Sequence, residues 1–129
     1  MAHPNEDLLR RGYEAFARGD LQTVGEVFAD DIVWHVPGRG PLAGTYRGRD
    51  EVMGFFARLF DLSGGRFGLE VHDLLANDEH GVVLVVARGE RAGKTLEAYD
   101  VHVWHLRDGR AVEYWGHPFD LYAVDEFWS

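Results

Sequence analysis

The residues best suited to chemistry crowd into one β-rich run, Tyr99 to His105. Side chains alternate across a strand, so Asp100, His102 and Trp104 share one face while Tyr99, Val101, Val103 and His105 take the other. A histidine with an aspartate on its own face is an acid–base arrangement, because the carboxylate can orient the imidazole for proton transfer. The same alternation also suits a solvated or dimer-facing polar stripe, with Val101 and Val103 filling the core. Asp120, in a segment opened by Pro118, is a candidate second acid at the mouth of any pocket; His117 accompanies it.

Four aromatic residues are candidates for ligand contact: Tyr13, Trp34, Trp104 and Tyr114. Trp34 shares a strand face with Ile32 and Val36, which points it inward, either as core or as a pocket wall with an indole N–H in need of a partner. His35 then points outward. Tyr13 falls with Leu9 and Phe16 on one helical face, where core packing competes with a catalytic part. Tyr114 could offer its hydroxyl to a bound carbonyl, or build a dimer surface with Trp115. No metal site is expected: His102 and His105 would face opposite ways, there is no cysteine, and no His-Glu-x-x-His pattern occurs. Gly38-Arg39-Gly40 is not a phosphate loop, because no helix follows it directly.

The elements that must position these groups change period halfway along the chain. Asn5 to Arg18 reads as a helix with Asn5 as its cap, and Asp20 caps a second, short helix containing Leu21, Val24, Val27 and Phe28. Ile32 to Val36 reads as a strand ended by Pro37-Gly38, Gly38 to Arg49 as a glycine-rich loop, and Asp50 to Phe60 as a third helix. Beyond it, Phe67 to Ala76, Val82 to Arg88, Thr95 to Leu106 and Ala111 to Trp115 read as strands separated by turn signals at Asn77-Asp78, Gly93 and Asp108-Gly109. The expected fold is α+β, a cone-shaped roll over residues 1–129. In it, about three N-terminal helices pack on a curved antiparallel or mixed sheet of about five or six strands, leaving a pocket at the wide end.

Size and composition fit one domain with a real core: 129 residues, 46% hydrophobic, with 13% aromatic residues suiting either a cavity or a tightly filled interior. A formal charge of −9, with the basic residues unclustered, argues against a nucleic-acid or membrane partner. There is no apolar run long enough for a membrane span or a signal peptide, which favours the cytoplasm.

Four signatures in one order carry a resemblance: Tyr13-Glu14-Ala15-Phe16 before Gly19-Asp20-Leu21; Phe28-Ala29-Asp30-Asp31 before a strand ending at Pro37; Gly44-Thr45-Tyr46-Arg47-Gly48 before an aromatic helix; and His102 followed by Arg107-Asp108-Gly109-Arg110. The pattern resembles the SnoaL-like branch of the nuclear-transport-factor-2-like superfamily, which includes polyketide cyclases, steroid isomerases and epoxide hydrolases. These motifs are turns and caps, so they specify fold more than chemistry.

The steroid-isomerase tyrosine would fall on Gly12 and its aspartate base on Val36, so orthodox steroid isomerisation is not expected. The late-strand histidine of the cyclases matches His102. Their acid/base aspartate aligns with Gly116, four residues before Asp120. The Asp-Arg-Asp relay of the epoxide hydrolases finds no counterpart. The resemblance implies a cofactor-independent isomerase, cyclase or lyase acting on a small hydrophobic molecule, with His102 as acid/base, and a homodimer. Its alternatives are a non-catalytic binding or dimerisation module of the same fold and, further off, an epoxide-type hydrolase.

Overall fold

The computed structural model describes residues 2–129 and shows six strands and four helices in the order α1 (Pro4–Ala17), α2 (Leu21–Val27), β1 (Phe28–Val36), β2 (Gly44–Arg47), α3 (Arg49–Ser63), β3 (Phe67–Ala76), β4 (His80–Arg91), β5 (Lys94–Arg107), β6 (Arg110–Pro118) and α4 (Leu121–Trp128). The strands form one sheet in the order β2-β1-β6-β5-β4-β3. All neighbours are antiparallel except β1 and β6, which run parallel and bring the start of the sheet against its end. Register shifts at Phe28/Val33, Val71/Asp73 and His105/Leu106 mark places where an extra residue bends a strand and lets the sheet curl.

The α+β architecture agrees with expectation, and several boundaries are corrected. Helix α1 begins one residue early: His3, not Asn5, is the cap, its Nδ1 accepting from Asn5 N–H at 3.0 Å while Glu6 returns a bond to His3 N–H. Pro4 at the first helical position explains this, since its missing N–H would have been unpaired there anyway. Asn5 is buried, and its side chain donates instead to the carbonyls of Asn77 and Asp78 in the β3–β4 turn. The glycine-rich loop contains β2, which adds to the sheet edge beside β1. Residues Phe28 to Asp31 belong to β1, with no break after α2.

The largest correction is α4, a fourth helix where a loop was expected. Asp120 is its cap, accepting from Ala123 N–H at 3.1 Å, and Phe127 and Trp128 are its buried face. Arg91 and Lys94, from the β4–β5 hairpin, bind carbonyls of the last α4 residues and Ser129, pinning its end. No helix among the described residues is long and apolar enough to cross a membrane.

The core lies between the concave face of the sheet and the helices. Phe28, 2% exposed, is central to it, with ring neighbours Trp34, Phe56 and Trp104 at centroid distances of 5.5, 6.2 and 6.3 Å. The outer face carries a second aromatic group: His35 stacks on Trp115, and Glu113 takes His35 Nε2 at 2.7 Å and His105 Nδ1 at 3.6 Å.

Candidate functional site

Alternation along β5 turns Asp100, His102 and Trp104 to the concave face, with His102 and Trp104 buried at 5% each, while Val101, Val103 and His105 face outward. Residues directly opposite on neighbouring strands share a face. On β6, Gly116 stands opposite His102 and Tyr114 opposite Trp104; on β1, Tyr114 is in turn paired with Trp34. The Trp34 and Tyr114 rings stack with centroids 3.7 Å apart, and Trp104 meets Tyr114 edge-on at 4.9 Å. Helix α1 supplies Tyr13 from above, stacked on the His102 ring.

These side chains form one polar chain in an apolar setting. Trp104 Nε1–H donates to Tyr13 Oη at 3.2 Å, Tyr13 Oη lies 2.5 Å from His102 Nδ1, and His102 Nε2 lies 3.5 Å from Asp100 Oδ2. Asp100 Oδ1 also accepts from His117 N–H at 3.1 Å, which steadies the carboxylate. A carboxylate only accepts and a neutral imidazole carries one N–H, so Nε2 holds the hydrogen and Nδ1 accepts from the Tyr13 hydroxyl. Nδ1 is therefore hydrogen-bonded within the protein, while Nε2 faces the Asp100 carboxylate at ion-pair distance. If His102 gains a proton, both nitrogens donate, and the Tyr13 O–H must swing to another acceptor.

The chain opens on a cavity of about 140 Å³ that is lined from every strand except β2 and from all four helices. Its walls are apolar apart from Tyr13, Tyr114, His102, Asp100, Asp125 and the tryptophans' indole rings. Burial pushes the Tyr114 phenol well above the usual tyrosine value, helped by negative Asp100. Burial does the same to Tyr13, against the lowering effect of the Trp104 N–H. Both tyrosines thus stay protonated and act as donors.

Of the candidate residues, Asp100, His102, Tyr13, Trp34, Trp104 and Tyr114 all line this cavity. Asp120 does not: its exposed side chain is occupied in capping α4, so the second-acid role expected of it has no geometry here. His117 belongs to β6 with its side chain exposed, rather than to a loop. Trp34 Nε1 is buried without a hydrogen-bond partner among the described residues.

Sequence reasoning missed the closure of the wide end. Val124, Asp125 and Trp128 of α4 face the cavity alongside Pro37, Gly40 and Leu42 of the β1–β2 loop. The Asp125 carboxylate latches the two together, accepting from the N–H groups of Arg39 and Gly40 at 3.1 Å. Gly38 makes the approach possible: its φ is +101°, and a Cβ there would lie 2.3 Å from Asp125 Oδ1. The cap at Asp120 followed by Leu121, Val124 and Phe127 was the available sequence signal for this helix.

Two variants report on the latch. Gly38→Ala should cost about 2–3 kcal/mol, from a strained backbone and a displaced carboxylate. Asp125→Ala should cost about 1 kcal/mol, because the half-exposed latch shares its work with solvent. In both, hydrogen exchange should accelerate at the amides of Arg39 and Gly40; unchanged protection there would mean that the latch does not hold the loop.

Comparison with known proteins agrees with the fold. The family model described as a SnoaL-like domain matches residues 9–114. Among solved structures, Bal32a from a soil-derived mobile gene cassette is 36% identical, with a TM-score of 0.95 over 99% of this chain and 98% of its own. TerC, co-crystallised with polyporic acid, is 26% identical with a TM-score of 0.85, covering 97% of this chain and 98% of its own. IdmH of Streptomyces antibioticus, provisionally assigned as a polyketide cyclase, is 28% identical with a TM-score of 0.76, covering 95% and 96%. With most of its length matched by the family model and its fold shared end to end with these structures, the chain belongs to the SnoaL-like family.

Proposed function

We propose that the protein is a cofactor-independent isomerase, cyclase or lyase of small hydrophobic carbonyl compounds, moving a proton through a Tyr13–His102–Asp100 relay. The observation that supports it is the hydrogen bond between the Tyr13 hydroxyl and His102 Nδ1, with the Asp100 carboxylate 3.5 Å from Nε2 and all three side chains lining the cavity. In the reaction, a proton on the carbon beside the carbonyl passes to Tyr13 Oη as the hydroxyl's own proton moves to His102 Nδ1. The substrate becomes an enolate and His102 an imidazolium, which the Asp100 carboxylate stabilises. Return of the proton through Tyr13 to a different atom completes an isomerisation, a ring closure or an elimination. The order hydroxyl, imidazole, carboxylate follows the logic of a catalytic triad, with the hydroxyl as proton donor and acceptor rather than nucleophile. The ligand of TerC and the assignment of IdmH lend support from related proteins of this fold.

The test is exchange of α-hydrogens for deuterium in a panel of small aryl and alkyl ketones, followed by NMR in D₂O. Protein-catalysed exchange that vanishes on denaturation is expected. A second reading, a binding module without turnover, draws on Gly116, which leaves no side-chain acid opposite His102. Ketones that bind with no exchange would establish that reading instead.

A further inference from the structure

Tyr114 is a polar group in the cavity that the relay does not use. It is 7% exposed, lines the cavity, and its hydroxyl has no hydrogen-bond partner among the described residues. Its place is made by Gly116: a Cβ on that glycine would lie 3.1 Å from Tyr114 Oη, so any larger residue opposite His102 would crowd the hydroxyl. Stacking on Trp34 holds the ring, and Trp34 Nε1 beside it is buried without a partner among the described residues. A donor without a partner favours a ligand that supplies an acceptor, and the Tyr114 hydroxyl is such a donor at the cavity wall.

Charge narrows the class further. No lysine or arginine is among the residues lining the cavity, and its two carboxylates, Asp100 and Asp125, are both acidic. An anion entering would lose its hydration without gaining a cation, beside a group of its own sign. The cavity's free volume of about 140 Å³ is of the class that takes a benzene-sized molecule.

From these observations we infer that the site selects an uncharged, flat, largely apolar compound whose carbonyl oxygen accepts from the Tyr114 hydroxyl, and that it discriminates against carboxylates. Tyr114 is in this sense a specificity residue. The inference deepens the proposed function and rests on the same cavity, but it concerns binding and does not require turnover.

Three probes of matched size separate the contributions: acetophenone, benzoate and ethylbenzene, titrated into the native protein and Tyr114→Phe at pH 7 with tryptophan fluorescence as readout, since Trp34 and Trp104 line the cavity. Acetophenone should bind, and benzoate should bind at least about 30-fold more weakly, the penalty of burying an unpaired charge. In Tyr114→Phe the preference for acetophenone over ethylbenzene should fall about five-fold, the worth of one hydrogen bond, while ethylbenzene itself binds as before. Equal binding of benzoate and acetophenone in the native protein would overturn the inference even if the variant fails to fold. So would an unchanged preference in Tyr114→Phe, or failure of every probe to bind. Loss of deuterium exchange with these preferences intact would instead remove the relay and leave the binding inference standing.

Discussion

Replacing His102 with asparagine should slow α-deuterium exchange by about 10²–10⁴-fold, the usual worth of a positioned acid–base group. Asparagine fills most of the imidazole's space and can bond to Tyr13, but it cannot accept a proton and pass one on. Tyr13→Phe should lose a similar factor by removing the hydroxyl that passes the proton to the imidazole, because Tyr13 Oη is the partner of His102 Nδ1. The two losses should not multiply: groups acting as one relay fail together, so the double variant should be about as slow as either single one. Trp104 Nε1 loses its acceptor in Tyr13→Phe, and a stability cost of about 1–3 kcal/mol is expected from that orphaned donor. A thermal melt taken beside each rate separates loss of fold from loss of chemistry. Full activity in His102→Asn would remove His102 from the mechanism.

Phe28→Ala should be the most destabilising single truncation, at about 3–5 kcal/mol, typical of deleting a buried phenyl ring. Phe28 stands where α2 ends and β1 begins, and its ring touches a helix of its own half, the first strand and the fifth through Phe56, Trp34 and Trp104. Its loss therefore loosens three elements together and widens the cavity they enclose. Against a total stability of about 5–15 kcal/mol for a domain of this kind, the variant should melt roughly 10–20 °C lower. A shift of only a few degrees would show that the aromatic cluster collapses into the space. The two variants probe opposite properties, since His102→Asn should spare the fold and Phe28→Ala should strike it first.

The sequence by itself determined which residues share a face and where most elements lie. Strand alternation is a local property of the chain, and it put Asp100, His102 and Trp104 together before any contact was visible; the pairing with buried Val83 and Val85 on β4 turns that face inward. Caps and turns are local as well, which is why Asp20 caps α2 and Asp108-Gly109 joins β5 to β6 as expected. Helix α4 escaped because its pattern spans only eight residues, and a helix that short depends on docking Phe127 and Trp128 rather than on propensity. Asp120 shows the same limit, as an isolated acid is equally a cap until the helix it caps is seen.

Only the tertiary structure decided the site. Tyr13 and His102 are 89 positions apart, and no spacing rule connects a helix at the start of the chain with a strand near its end. The parallel pairing of β1 with β6 is equally non-local, yet it lays Trp34 on Tyr114. Gly116 shows the limit most directly: read along the chain it is the place of a missing aspartate, while in the fold its lack of a side chain makes room for a tyrosine hydroxyl. Which face a residue takes follows from backbone geometry of a few neighbours, but which partner it meets depends on how the whole sheet closes.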